Sequence, residues 1–247
     1  INVWDISTGD QIHSLTLDKL VDIRGCKFSP DNQYIGIISW SKIYLWNINT
    51  WNTVRYIEHI SRSKTANDFC FSPDMKHILT ACVDNTLLLW DFKNQELIHI
   101  LKAHTDQVEA CDYSPDKTSF VSASKDGSLR LWNTQTYQQT RIFQDKNYII
   151  NDCKFSPDGC YIFTVSNDKT LKVLDKINLD IIASLPFRGY LTSIAVHPWL
   201  PNLSCGEESG SIYRVMLKGI KYNAIIVTAS NKNNKLIISG NSSFFYF

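Results

Sequence analysis

Along most of the chain apolar and polar residues alternate with a period of two, in short runs closed by turn signals, and this predicts strands with one covered face. Residues 107–143 illustrate the pattern. Gln107 to Tyr113 alternates, and Ser114-Pro115-Asp116 turns the chain, because Pro fixes φ in a tight turn and Asp bonds back to the backbone. Ser119 to Ser124 reads as a second strand, Lys125-Asp126-Gly127 as a hairpin, Ser128 to Asn133 as a third strand, and Tyr137 to Phe143 as a fourth.

The unit recurs. Phe28-Ser-Pro-Asp31, Phe71-Ser-Pro-Asp74, Tyr113-Ser-Pro-Asp116 and Phe155-Ser-Pro-Asp158 space Pro30, Pro73, Pro115 and Pro157 by 43, 42 and 42 residues, and Val196-His-Pro198 follows at 41. Trp4, Trp46, Trp90 and Trp132 keep the same beat in another phase, with Leu174 where the next would fall. Two independent markers on one period establish a repeat. A four-stranded meander cannot bury both faces alone, so stacked units closing radially are expected: an all-β propeller of four-stranded antiparallel blades. Residues 1–17 read as the last two strands of a unit, full units lie at about 21–57, 65–101, 107–143 and 149–185, a degenerate one at 190–228, and a tail at 229–247. That makes about six blades, partial at both ends. In one closure the tail strands pair with residues 1–17 and complete the ring; in the other the chain is part of a longer array, as the missing initiator Met suggests.

On these residues the chain resembles the WD-repeat propellers. The carriers are Val3-Trp4-Asp5, Leu45-Trp46-Asn47, Leu89-Trp90-Asp91, Leu131-Trp132-Asn133, the Ser-Pro-Asp turns, and Asp84, Asp126 and Asp168 in the second-to-third-strand hairpins. The resemblance implies a hydrogen-bonded set of His, Ser or Thr, Asp and Trp inside each blade. Only one unit has all four, His104, Ser122, Asp126 and Trp132. The preceding one has Thr80, Asp84 and Trp90 with His59 displaced, the following one keeps Thr164 and Asp168, and the first full unit has Trp46 but no hairpin Asp. The segment from His197 through Gly206, Gly210 and Tyr213 to Ala229 is similar to the closing unit of WD-repeat arrays in signal-transducing ATPases of the NACHT and NB-ARC kind.

Composition narrows the functional classes. Lys and Arg number 25 against 24 Asp and Glu, a net charge of +1, which does not suit a nucleic-acid binder or a membrane-surface protein. No apolar stretch is long enough to span a bilayer, and residues 1–10 lack the features of a secretory signal. Seven cysteines without CxxC pairs argue against a disulfide framework or zinc site and for a reducing, cytoplasmic setting. None of the six His has metal-ligand spacing, and no phosphate-binding loop occurs. Ser122, His104 and Asp126 superficially suggest a hydrolase triad, but the resemblance makes them internal fasteners under Trp132. No catalytic residue, cofactor, metal or small-molecule substrate is expected; a propeller enzyme would need converging carboxylates or a triad at the channel mouth.

What remains is the rim around one mouth of the channel, where loops on a rigid frame contact partners. Counting back from the Ser-Pro-Asp turns gives Arg24, Asn67, Glu109 and Asn151, and the residues beside the hairpin Asp add Lys125 and Asn167, with Trp40 in the short first hairpin. The expected function is a non-catalytic scaffold that binds proteins or peptides through this rim; the alternative is a sensor module of a larger signalling ATPase.

Overall fold

The structure is a computed structural model and describes residues 1–5, 7–15, 23–39, 42–58, 65–145, 148–197, 202–221, 224–231, 234–239 and 245–246, without the side chains of 53–56, 58 and 218 onward. Its described elements are all strands and turns. A two-stranded ribbon, β1 (Asn2–Trp4) and β2 (Gln11–Ser14), comes first. Blade 1 follows as β3 (Ile23–Phe28), β4 (Tyr34–Ser39), β5 (Lys42–Asn47) and β6 (Thr53–Glu58). Blade 2 comprises β7 (Ala66–Phe71), β8 (His77–Cys82), β9 (Thr86–Asp91) and β10 (Leu97–Lys102). Blade 3 comprises β11 (Val108–Tyr113), β12 (Ser119–Ser124), β13 (Ser128–Asn133) and β14 (Gln139–Gln144). Blade 4 comprises β15 (Ile150–Phe155), β16 (Tyr161–Ser166), β17 (Thr170–Asp175) and β18 (Ile181–Pro186). The fifth sheet runs β19 (Leu191–Val196), β20 (Asn202–Glu207), β21 (Ile212–Lys221), β22 (Ala224–Asn231), β23 (Asn234–Ser239) and β24 (Phe245–Tyr246).

The blade count therefore corrects the sequence reading. Among the described residues there are five blades and a half-blade, rather than about six blades. Among the described residues the tail strands pair with neither β1 nor β2. β23 instead continues the meander of β22, with Val227 opposite Ile238, and β24 pairs with β23, so two strands extend the outer edge of the fifth sheet.

Each Ser-Pro-Asp turn is built by its side chains. The Ser72 hydroxyl donates to Asp74 at 2.7 Å and accepts from the His77 N–H at 2.9 Å. The residue two after each Pro has left-handed backbone: Asn32, Met75, Lys117 and Gly159 have φ of 56°, 58°, 65° and 72°. Only one of the four is Gly, so the hydrogen bonds hold a conformation that costs an ordinary residue about 1–2 kcal/mol.

The core lies between blades rather than within them. Ala110, Val121, Ala123, Leu129 and Leu131 of blade 3 pack against Ile150, Cys153, Phe155 and Ile162 of blade 4 in one buried cluster. The blade 1–2 junction is closer still. A Cβ added to Gly36 would meet the Phe69 ring at 2.7 Å and the Phe71 ring at 2.9 Å, so only Gly lets those aromatics reach blade 1.

The aromatic before each Ser-Pro-Asp turn wedges into the preceding blade. Phe71, Tyr113 and Phe155 are 6%, 8% and 4% exposed, but Phe28 is 61% exposed, because the ribbon before it offers only third and fourth strands. Phe155→Ala is therefore expected to cost about 3–5 kcal/mol in urea unfolding, and Phe28→Ala about 0.5 kcal/mol or less. Equal costs for the two would contradict this packing.

Candidate interaction rim

The register fixes which loops share a face. Val108 at the start of β11 lies opposite Ser124 at the end of β12, and Lys102 at the end of β10 lies opposite Thr86 at the start of β9. Inter-blade connections and second-to-third-strand hairpins thus gather at one mouth, with the Ser-Pro-Asp turns at the other.

The predicted rim residues form a continuous line across three blades. The Arg24 guanidinium donates to Asn67 Oδ1 at 2.8 Å, and Asn67 Nδ2 donates to Glu109 Oε1 at 3.4 Å and to the Val108 carbonyl at 3.0 Å. Lys125 Nζ sits 3.4 Å from Glu109 Oε1 and donates to Gln107 at 2.9 Å. Burial pushes the Glu109 carboxyl above its ordinary range, against the attraction of Lys125. On the far side Asn151 Nδ2 donates to Asn167 Oδ1 at 2.6 Å and to the Leu191 carbonyl at 2.7 Å. Trp40 lies outside the described residues.

Directly below the rim are groups that the sequence reading missed. Each first strand is the edge of its sheet, and its outward backbone groups meet side chains of the preceding blade. Asp68 accepts from the Cys111 N–H at 3.2 Å, Asp112 from the Phe155 N–H at 2.8 Å, and Asp152 from the Ile194 N–H at 2.8 Å, each reaching from one blade to the next. Lys27 pairs with Asp68 at 2.7 Å and Lys154 with Asp152 at 2.8 Å. Burial alone would raise Asp68, but Lys27 and Lys154 hold it below the ordinary carboxylate range. For Asp112 burial prevails and its carboxyl is pushed up. The legible signal was the Asn-Asp pair at 67–68, repeated two units later at 151–152.

The blade fasteners differ from blade to blade. In blade 3, Trp132 Nε1–H donates to Ser122 Oγ at 3.0 Å, Ser122 donates to His104 Nε2 at 2.7 Å, and His104 Nδ1–H donates to Asp126 at 3.0 Å. That tautomer follows from an ionised Asp126, which also accepts from the Thr105 N–H and the Ser128 hydroxyl. Arg130 Nε–H then serves Ser128 Oγ at 3.1 Å. Burial opposes ionisation of Asp126, yet the bonds from His104, Ser128 and Thr105 keep it far below its ordinary value. Burial lowers His104, outweighing the attraction of Asp126.

Blade 2 keeps a shorter set. Trp90 Nε1–H reaches Thr80 Oγ1 at 3.3 Å, while Asp84 accepts from the Thr86 hydroxyl at 2.5 Å. In blade 4 Leu174 replaces the Trp, and Thr164 is buried. There Lys172, buried beside the hairpin, pairs with Asp145 at 2.6 Å and also with Asp168. A buried ion cluster thus stands where blade 3 has His104. In blade 1 Trp46 is buried against the ribbon residues Ile1, Val3 and Leu15. In the fifth sheet the buried Glu207 accepts from the Gly189 N–H, from Ser209 at 2.5 Å and from Tyr213 at 3.3 Å.

Ser122 is spent between His104 and Trp132, the inter-blade carboxylates serve backbone N–H groups and lysines, and no His/Cys/Asp/Glu cluster among the described residues could hold a metal.

Comparison with known proteins agrees with the architecture. The family model "WD domain, G-beta repeat" matches residues 52–91, 95–133 and 137–175. Each matched segment starts with the outer strand of one blade and ends with the third strand of the next, so a sequence repeat straddles two blades. Transducin-like enhancer protein 2 of Mus musculus is 27% identical over 117 residues, which is 45% of this chain and 15% of that protein's length.

His104 gives the fastener a testable pH dependence. Its folded pKa lies below the ordinary 6.5, so its contribution is complete above that unfolded value and is lost as pH falls toward the folded one. Thermal unfolding between pH 7.5 and 5.5 should show stability falling with pH in the native protein, with a shallower slope in His104→Gln. An unchanged slope would contradict a neutral, buried His104.

Proposed function

We propose that this chain, which carries WD repeats folded as β-propeller blades, is a non-catalytic scaffold that binds other proteins through the rim of its channel. WD-repeat propellers generally bind proteins, and the observation that supports the reading here is the line Arg24–Asn67–Glu109–Lys125. These side chains rise from three adjacent blades onto one mouth, and the inter-blade bonds beneath them fix their spacing. A surface held in place before binding loses little entropy on association. Its mixed charge suits a protein partner rather than a polyanion. The absence of catalysis is part of the proposal, supported by Ser122, His104 and the inter-blade carboxylates being engaged in structural bonds. A reducing, intracellular setting is supported by the seven free cysteines, five of them buried.

A second reading, a sensor module of a larger nucleotide-binding signalling ATPase, draws on the fifth sheet. Cys205 faces Ile194 as Ser122 faces Cys111, and Glu207 with Tyr213 replaces the usual fastener. A phosphate-binding loop encoded in the same reading frame would favour it over a plain scaffold.

The rim is tested by Arg24→Glu combined with Lys125→Glu, comparing proteins captured from cell extract by the native chain and the variant. Captured partners should fall at least tenfold while the unfolding midpoint moves by no more than about 2 °C. Undiminished capture at unchanged stability would refute the rim as the binding surface.

A further inference from the structure

The mouth that carries the Arg24–Lys125 line also holds a pocket, in the sector of blade 4 and the fifth sheet. It lies where the β16–β17 hairpin, the connection from β18 to β19 and the β20–β21 hairpin meet. Lys169, Gly189, Tyr190, Glu208 and Ser209 line a cavity of about 350 Å³. That is at the small end of ligand clefts, which run from roughly 300 to 1,000 Å³, and it has room for one side chain of a partner.

Backbone bonds fix its walls. The Phe187 N–H donates to the Lys169 carbonyl at 2.7 Å and the Glu208 N–H to the Tyr190 carbonyl at 3.0 Å, so the connection is tied to both hairpins. Beneath them the buried Glu207 accepts from the Gly189 N–H and from the hydroxyls of Ser209 and Tyr213. A Cβ on Gly189 would lie 2.6 Å from Glu207 Oε1, so only glycine lets the connection close on that carboxylate. The Ser209 hydroxyl first, then the Gly189 N–H and the Tyr213 hydroxyl, hold Glu207 below its ordinary range against burial. All three are neutral donors.

The pocket departs from the repeat in its charge. Lys125 N–H donates to the Gln107 carbonyl as Glu208 N–H does to that of Tyr190, so the two sites correspond, with the charge reversed and a ring in place of an amide. On the blade 3 side Lys125 Nζ is bonded to the Gln107 side chain. Among the described residues the Glu208 carboxylate has no ion pair or hydrogen bond, and neither has Lys169 Nζ, which rests 5.4 Å from the centre of the Tyr190 ring. Tyr190 is 45% exposed. An ammonium of the chain thus covers a ring that stands beside a free carboxylate.

We propose that this pocket seats an arginine side chain presented by a partner protein, its guanidinium stacked on Tyr190 and paired with Glu208, and that Lys169 is the internal occupant it displaces. A planar guanidinium offers one face to a ring and a fork of donors to a carboxylate at once, which an ammonium cannot do. Glu207 and Glu208 set two negative charges against the one positive charge of Lys169, so an acidic side chain is disfavoured. Lys169 is exposed and leaves the ring without disturbing the core. The proposal rests on the reading of this mouth as a protein-binding rim and adds the kind of residue that the partner inserts.

The probe is the peptide acetyl-Gly-Gly-Arg-Gly-Gly-amide, with a citrulline peptide as its neutral isostere. In protein carrying isotope-labelled tyrosine, the Tyr190 ring signals are assigned by their loss in Tyr190→Phe. They should shift saturably with the arginine peptide below about 20 mM and stay in place with the citrulline peptide. Glu208→Gln should weaken binding about fivefold or more, whereas Lys169→Gln should strengthen it about threefold by vacating the ring. Unfolding midpoints within about 2 °C of the native value establish that both variants are folded. The absence of a saturable shift, equal binding of the two peptides, or arginine binding that ignores Glu208→Gln would each overturn the proposal. So would an aspartate peptide that binds the native protein and is lost in Lys169→Gln, which would assign the pocket to acidic residues. Capture that falls with Arg24→Glu and Lys125→Glu while the arginine peptide fails to bind would remove the pocket and leave the rim standing.

Discussion

A blade's first strand has an edge that no strand of its own sheet can pair, and the way its N–H groups are satisfied governs the rest of this structure. Asp68, Asp112 and Asp152 each cross to the following blade and accept one of those N–H groups, while Asn67 and Asn151 cross to a carbonyl. A buried N–H left without a partner costs about 1–3 kcal/mol, so such crossings set the spacing of adjacent blades as well as stabilising them. The apolar wedge of Phe71, Tyr113 and Phe155 fills the same junctions. Polar stitch and apolar wedge come from one strand, two to six residues before the turn proline. Among the described residues only β1 and β2 precede blade 1, and the same aromatic, Phe28, is exposed.

Within blades the constraint is looser, and the sequence uses that freedom. The hairpin between second and third strands needs its amides capped and its buried polar atoms paired, but several side-chain sets do this. Blade 3 uses the Trp132–Ser122–His104–Asp126 chain, blade 2 the Trp90–Thr80 pair, and blade 4 the Lys172 ammonium between Asp145 and Asp168. The blade 4 solution carries a penalty for desolvating three charges, and removal of one partner would leave an uncompensated buried charge. This tolerance lets the repeat drift at its fastener while the rim above keeps its geometry.

The same division separates the features that were legible in the sequence from those that were not. Local features were legible, because proline turns, the tryptophan beat and the hairpin aspartates repeat at a fixed distance and carry their chemistry with them. Arg24, Asn67, Glu109 and Lys125 were legible as rim residues because the repeat places them at matching strand ends; their joining into one line needed the register between blades. Lys172 was opaque, since Asp145 lies 27 residues away and belongs to no repeated motif. The inter-blade carboxylates were passed over because, in a strand that alternates, a polar residue reads as solvent-facing, whereas here it faces the next blade's edge. Closure was opaque for a related reason. Strand count allowed the tail to pair with either end, and the pairing of β23 with β22 is a long-range choice that periodicity does not encode.

The stitch is tested most directly at Asp112, whose one backbone bond runs to the Phe155 N–H at 2.8 Å. In Asp112→Ala, hydrogen exchange under native conditions should quicken at Phe155 by about tenfold or more, with the amides of Thr105 and Ser128 in the blade 3 fastener little changed. A Phe155 amide that exchanges as slowly as before would contradict the account, as would a uniform quickening across all blades.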